Sequence, residues 1–272
     1  MSWTSSYTET ERYRLQVEHD AQRRTDDRLG AFRGVMLHAV QKGWTQEEID
    51  SVVGALDVAP VKTGKPRLLD LFCGAGGASK GYIDAGWDVM GLDNVRQPYY
   101  PTTSMGYILA DFREFGPEWI RTWFDAVHAS PPCQAHTRLQ GAYRKSHVDL
   151  IPAVRELLKA TGLPYVIENV EGAPLHNPIL LCGDMFGLRV TRHRLFESNV
   201  YMTPGPCLHE RKKGNFLPFV PEDSGTSKGD YRDAMKVNWM SVEASRQAIP
   251  PAYTHWIGER LLAELSLRPY VP

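Results

Sequence analysis

The run Leu68-Leu69-Asp70-Leu71-Phe72-Cys73-Gly74-Ala75-Gly76-Gly77 constrains this chain more than any other stretch. It reads as a short apolar strand that breaks into a glycine-rich turn. A helix is predicted from Ala78 to Ala85, then a second strand from Asp88 to Leu92 that ends at Asp93. In such a unit, small residues let the backbone approach a ligand. An acid closing the next strand can take a ribose.

The alternation continues to about Val200. Strands are predicted at Arg67–Phe72, Asp88–Leu92, Gly106–Ala110, Phe124–Ala129, Tyr165–Asn169 and Leu195–Ser198. Helices are predicted at Ala78–Ala85, at Ser146–Ala160 and near Leu180–Phe186. This pattern argues for an α/β fold, with a parallel, doubly wound, Rossmann-like sheet and helices on both faces. Ligands in such sheets bind at the carboxyl ends of strands. The glycine turn, Ser130-Pro131-Pro132-Cys133-Gln134 and Glu168-Asn169-Val170 all fall at such ends.

Residues 1–65 differ from this catalytic unit, 66–200. They are rich in charge, Gln and Ala, with helix-period apolar positions at Phe32, Val35, Met36 and Val40. Thr45 followed by Glu47 and Glu48 reads as a helix N-cap with acids in its first turn. Gly43–Ile49 resembles the start of a helix in helix-turn-helix proteins, but a plain helical extension is the favoured reading. Residues 201–240 read as long loops rich in Pro, Gly, Lys and Asp. Residues 241–272 return to the main unit with an amphipathic helix through Ile257, Leu261, Leu262 and Leu265.

A net charge of −1 excludes a uniformly basic nucleic-acid binder. It leaves room for a local basic face, because affinity depends on where the charge sits. Arg189, Arg192, Arg194, Arg211, Lys212 and Lys213 cluster in one stretch. No apolar run approaches the ~18 residues of a membrane span, and the polar start is unlike a signal peptide. A cytoplasmic protein without a membrane partner is expected. Cys73, Cys133, Cys182 and Cys207 form no CxxC pair, so neither a disulfide framework nor a zinc ribbon is suggested. His136, close after Cys133, lacks partners at ligand spacing, and no metal is expected.

Cys133 follows two prolines after a strand, a stiff turn that places a thiol at the mouth of the sheet. A thiolate there needs a lowered pKa or a nearby proton acceptor. Glu168 leaves a buried strand, where desolvation raises a carboxyl pKa and lets it donate a proton near neutrality. Asn169 can orient the turn by side-chain-to-backbone bonds. Arg192 and Arg194 flank His193 and fall on one side of an extended segment. They can pair with Glu168 or with a substrate carbonyl.

With these residues in view, the sequence resembles the cytosine-C5 DNA methyltransferases over roughly residues 67–200 and 245–262. Asp70–Gly77 is similar to the family's S-adenosylmethionine loop. Ser130–Gln134 is similar to its Pro-Cys-Gln motif, and Glu168-Asn169-Val170 to its Glu-Asn-Val triplet. Thr191-Arg192-His193-Arg194 and Gln247-Ala248-Ile249-Pro250-Pro251 resemble the later motifs, with Thr191 where the family usually has Gln and Gln247 where it usually has Asn.

The resemblance implies S-adenosylmethionine as cofactor and S-adenosyl-L-homocysteine as product. Asp70, Phe72, Gly74, Ala75, Gly76 and Gly77 would surround it, with Phe72 near the adenine. Asp93 and Asn94 would serve the ribose, Asp111 and Phe112 the adenine, and Pro132, Gln247 and Ala248 would line the site. Cys133 would attack cytosine C6, Glu168 would bond the ring at N3, Arg194 would contact the base carbonyl, and Arg192 would position Glu168. The base would have to be flipped out of the duplex. Gln134, Arg211, Lys212 and Lys213 would contact the nucleic acid.

Only about 40 residues separate Ser198 from Ser241, which leaves few side chains for reading base edges. A reduced target-recognition insert with short or relaxed specificity on double-stranded DNA is expected, as in a restriction-modification or phage enzyme acting as a monomer. The alternatives are the same chemistry on RNA or a free cytosine nucleotide, and an inactive nucleic-acid-binding homologue.

Overall fold

The computed structural model describes residues 65–101, 105–133, 148–208, 217–218 and 228–267. The N-terminal extension with its Gly43–Ile49 segment, and Gln134, His136, Arg211, Lys212 and Lys213, lie outside the described residues.

Seven strands form the main sheet: β1 (Arg67–Leu71), β2 (Asp88–Asp93), β3 (Gly106–Leu109), β4 (Ala126–Ala129), β5 (Tyr165–Asn169), β6 (Ile179–Leu181) and β8 (Arg194–Ser198). Their order is β3-β2-β1-β4-β5-β8-β6. Two short strands, β7 (Val190–Thr191) and β9 (Leu217–Pro218), pair separately. The chain leaves β1 to one side for β2 and later returns to its other side for β4, both in parallel. The carboxyl ends of β1 and β4 therefore form the switch point at which α/β sheets bind ligands.

Three sequence expectations fail here. The sheet is mixed, because β8 runs antiparallel to both β5 and β6. The link from β6 to β8 holds no α-helix, only a 3₁₀ turn and β7, and the chain turns back beside its own strand. The expected helix near Leu180–Phe186 is instead β6 followed by a 3₁₀ turn, Gly183–Phe186. The stretch expected as loops between 201 and 240 contains helix α4 (Lys228–Met235).

Alternation along the strands divides the core between two faces. Leu68, Val89, Ala126, Val166 and Phe196 point to one face, with Tyr82, Tyr253, Ile257 and Leu261 in the same buried cluster. Two helices pack together in that layer: α1 (Gly77–Asp84) and the last helix, α6 (Pro251–Leu267). Their contact is close because Gly81 has no side chain: a Cβ there would lie 2.1 Å from the Pro251 carbonyl oxygen. Thr254 Oγ1 donates to the Ala78 carbonyl, and Trp87 Nε1 to that of Gly258.

The intervening residues Leu69, Leu71, Met90, Val127 and Ile167 are also buried. They face the other way, where α2 (Pro117–Trp123) and α3 (Ile151–Thr161) pack together. α2 is too short for its period to be read in the sequence, but Pro117 in its first turn starts it well. The buried Arg155 of α3 donates twice to Glu197 of β8, at 2.8 and 2.7 Å, and once to the Pro174 carbonyl. His176 N donates to the same carboxylate. This fork ties helix, strand and the loop after β5 together. A last short helix, α5 (Val242–Gln247), leads into the segment before α6.

Candidate active site

At the end of β1 the backbone leaves the strand in an unusual way. Phe72 has φ 61°, and Gly74 and Gly76 have φ 50° and 79°. A left-handed φ favours glycine, because other residues bring Cβ against the carbonyl oxygen. At Gly76 space matters too: a Cβ would lie 2.2 Å from Pro101 Cδ. A Cβ on Gly74 would meet nothing within 4 Å. The turn is thus packed on one side and open at Gly74, as a loop that cradles a ligand requires.

Several groups hold the turn in place. Asp93, at the end of β2, accepts from Gly74 N through one oxygen and from Val95 N through the other, at 2.9 and 2.8 Å. Each oxygen keeps a second lone pair for a ligand hydroxyl. Trp239 Nε1 donates to the Ala75 carbonyl at 3.1 Å. The segment expected to line the site is close by, because a Cβ on Gly77 would lie 2.7 Å from the Ile249 carbonyl oxygen and 3.1 Å from Ala248 Cβ. Gln247 and Asn94 are exposed.

The rings of Phe72 and Phe112 meet with centroids 5.1 Å apart, an apolar wall beside the turn. Asp111 makes its described contacts locally. Its carboxylate accepts from Arg113 N and from the Arg113 guanidinium, and it caps the 3₁₀ turn Phe112–Glu114. Arg113 holds its pKa below the ordinary carboxylate range.

A polar row runs along the α1 side of the sheet. Asp70 of β1 accepts from Ser79, whose hydroxyl in turn accepts from Tyr100 Oη at 2.9 Å. Asp70 is fully buried, and its Oδ1 has no hydrogen-bond partner. Burial first, and the charges of Asp93 and Glu168 further, push its pKa up to about 7 against the Ser79 bond. Three carboxylates therefore crowd this end of the sheet, an environment that favours a cationic ligand. On β4, Nδ1 of the buried His128 shares a hydrogen bond with Tyr82 Oη, and Nε2 one with Ser130 Oγ, both at 2.9 Å. Burial lowers its pKa to about 3, so the ring is neutral.

Glu168 stands two residues beyond Val166 on the same face of β5. Its carboxylate pairs with Arg194 Nε at 2.9 Å. Burial raises its pKa, and Arg194, a Ser130 hydrogen bond and Arg192 oppose the rise. The next residue locks the turn that carries Cys133: Asn169 Nδ2 donates to the Pro131 carbonyl at 3.0 Å, and its Oδ1 accepts from Val170 N. Ser130 N donates to the Leu71 carbonyl, which ties this turn to the glycine turn. Pro132 is exposed and Cys133 half-buried.

Burial pushes the Cys133 thiol up and the charge of Glu168 adds to this, while Arg194 and, more weakly, Arg192 pull it down. Cys133, Glu168, Arg192 and Arg194 thus share one electrostatic neighbourhood. The two arginines have different tasks. Arg194 makes the carboxylate pair. Arg192 is buried and reaches away, donating to Tyr231 Oη at 2.6 Å and to the Arg246 carbonyl at 2.7 Å. Tyr253 Oη bonds its backbone carbonyl. Arg192 thereby ties α4 and α5 to the turn between β7 and β8, and acts on Glu168 through its charge. Sequence reasoning did not single out Ser79, Tyr100, His128, Ser130 or Trp239. Only the Ser130 position carried a signal, as the first residue of the Pro-Pro-Cys segment.

No protein-family model and no curated protein matches the sequence. Solved structures do. A methyltransferase described as Dnmt2 from S. pombe superposes with a TM-score of 0.50 at 11% identity, over 75% of this chain and 100% of that one. A prophage-encoded E. coli protein described as a DNA modification methyltransferase gives 0.39 at 18% identity, and a DNMT2 variant from Spodoptera frugiperda 0.40 at 19%. The matches span 49% and 56% of those two chains, about half of each. At such identities the likeness speaks to architecture alone: the chain has the α/β fold of methyltransferases.

Proposed function

We propose that the protein transfers a methyl group from S-adenosylmethionine to C5 of cytosine in DNA. The observation that carries this reading is the convergence of a thiol, a carboxyl whose pKa burial raises and its arginine, Cys133, Glu168 and Arg194, at the strand ends beside a glycine turn.

The residues present fit the cofactor. Gly74 leaves open space above the turn, Phe72 and Phe112 offer an apolar wall for an adenine, and Asp93 keeps lone pairs for ribose hydroxyls. The unpartnered Asp70 oxygen and its acidic surroundings suit a sulfonium that also carries an ammonium. When bound, S-adenosylmethionine supplies the electrophilic methyl group.

Cytosine C5 is a weak nucleophile until sulfur adds at C6, so covalent catalysis divides one hard step into easier ones. Cys133 loses its proton to solvent and its sulfur bonds C6. The C5–C6 π pair moves to C4–C5 and the C4–N3 π pair onto N3, which takes the proton from Glu168. Arg194 keeps the carboxylate left on Glu168 stabilised in the buried site. Protonated Glu168 also no longer raises the thiol pKa, so the carboxyl that must hold a proton and the thiol that must lose one help each other. After C5 is methylated, its proton leaves to water, the C5–C6 double bond reforms, sulfur departs with its electron pair, and Glu168 recovers the proton from N3.

The stretch 201–240 serves as the reduced recognition insert, with Arg211, Lys212 and Lys213 contacting phosphates. The test is incorporation of a labelled methyl group from S-adenosylmethionine into duplex DNA, single-stranded DNA, RNA and cytidine nucleotides in parallel. Digestion of the duplex should release 5-methyldeoxycytidine at a short sequence. Label confined to RNA or nucleotide would move the substrate, and methyl on the exocyclic nitrogen would remove the mechanism.

A further inference from the structure

Among the described residues, one cluster outside the candidate active site brings together side chains with metal-binding chemistry. Cys182 follows β6 and caps the 3₁₀ turn Gly183–Phe186. His193 lies in the turn between β7 and β8, and Cys207 in the segment after β8. Their ligand atoms all lie within 4.8 Å of one another. The spacing of the cysteines in sequence suggests no zinc ribbon, because the three residues come from separate elements.

We infer that Cys182, His193 and Cys207 hold a structural zinc ion. Two thiolates and an imidazole form a donor set that selects zinc over hard cations. One distance matches it directly. Bonds of about 2.3 Å to sulfur and about 2.0–2.1 Å to nitrogen, at tetrahedral angles, put S and N about 3.6 Å apart. Cys207 Sγ lies 3.6 Å from His193 Nε2.

The other nitrogen of the ring supplies a second observation. His193 Nδ1 faces Glu171 Oε2 at 3.2 Å. A histidine ligand characteristically gives its remaining N–H to a carboxylate, which fixes the tautomer and the ring direction. Here that contact leaves Nε2 as the ligand, aimed at Cys207. Two thiolates and one neutral imidazole also balance the ion's charge. The fourth position falls to water.

Zinc here would anchor the start of the 201–240 stretch to the sheet, where Leu208 N already donates to Asp184 Oδ2 at 3.0 Å. It would also fix the backbone of His193, and so hold Arg192 and Arg194 on either side. The role is positional, because none of the three ligands is among the residues assigned to methyl transfer.

The test is metal content of the full-length protein, purified under reducing conditions without chelator. Elemental analysis should give one zinc per chain. Cys182→Ser and Cys207→Ser should each lose it, and Cys73→Ala should retain it. Glu171→Gln should weaken zinc about 10- to 100-fold in competition with a chromogenic chelator. Wild-type protein loaded with cobalt(II) removes the risk that a variant merely fails to fold. It should show thiolate-to-cobalt charge transfer, and X-ray absorption of the zinc form should show two sulfur ligands. Zinc retained at one per chain in both serine variants would overturn the assignment, as would a shell of nitrogen and oxygen only, or a Cys182–Cys207 disulfide with no metal uptake on reduction. None of these readouts passes through methyl transfer, so a failure here is separable from a failure of the proposed activity.

Discussion

Arg194→Met isolates the pair at the centre of the site. The two side chains are 13% and 9% exposed, so the bond between Arg194 Nε and Glu168 is sheltered from water. A hydrogen bond to a charged partner in such a setting contributes about 1.5–3 kcal/mol. Leaving a charge buried and unpaired costs about 3–5 kcal/mol. Glu168 avoids the larger cost by keeping its proton. Its folded pKa already lies above the ordinary 4.5, and Arg194 is the chief influence opposing that rise. Removing Arg194 lifts it further. A carboxyl whose folded pKa is raised contributes stability that is full below the unfolded value and lost as pH rises through the folded one. The variant should therefore be destabilised by about 1.5–3 kcal/mol at pH 8 and by about half of that or less at pH 5. Urea unfolding at the two pH values measures this. In a Glu168→Gln background the same substitution should cost equal amounts at both. Alkylation of Cys133 gives a second reading. Arg194→Met should slow it, because Arg194 pulls the thiol pKa down, and Glu168→Gln should speed it. Equal destabilisation at pH 5 and pH 8 with Glu168 present would refute the reasoning.

Three further outcomes are expected. Asp70→Asn should stabilise the ligand-free protein at pH 8 by up to about 4 kcal/mol and little at pH 4, because the Asp70 pKa rises from 3.8 to about 7 on folding. The same change should weaken S-adenosylmethionine binding by calorimetry. Gly76→Ala should cost about 1–3 kcal/mol in thermal or urea unfolding, because its Cβ meets Pro101 and its φ is left-handed, and cofactor affinity should fall with it. Arg155→Met should cost about 3–5 kcal/mol in urea unfolding by leaving buried Glu197 without its cation, and adding Glu197→Leu should restore most of the loss.

What was legible in the sequence was mostly local. The glycine turn, the Pro-Pro-Cys segment and the acid at the end of β5 each announce themselves within a few residues. Their common position at strand ends follows from the alternation of elements, and Asn169 bonding the Pro131 carbonyl is the kind of short polar link its side chain suggests. The antiparallel β8 was not legible, because its direction is set by its pairing with β5 and β6 in the folded sheet and by no local pattern in the sequence. The Tyr82–His128–Ser130 chain joins α1 to β4, and no spacing in the sequence encodes it. Which arginine pairs with Glu168 also escaped, since alternation puts both on one side and the resemblance gave that task to Arg192. The difference comes from what packs there: Tyr231 and the Arg246 carbonyl near one, Glu168 near the other. The Cys182, His193 and Cys207 cluster stayed hidden for the same reason, drawn as it is from three segments that only the folded chain brings together.

The most direct test of covalent methyl transfer is mass spectrometry of the protein incubated with S-adenosylmethionine and duplex DNA carrying 5-fluorocytosine. Fluorine cannot leave as the C5 proton does, so the sulfur–carbon bond should persist and map to the peptide containing Cys133, with none formed by Cys133→Ser. Duplex DNA that acquires 5-methylcytosine from this protein while no adduct forms at Cys133 would contradict the account.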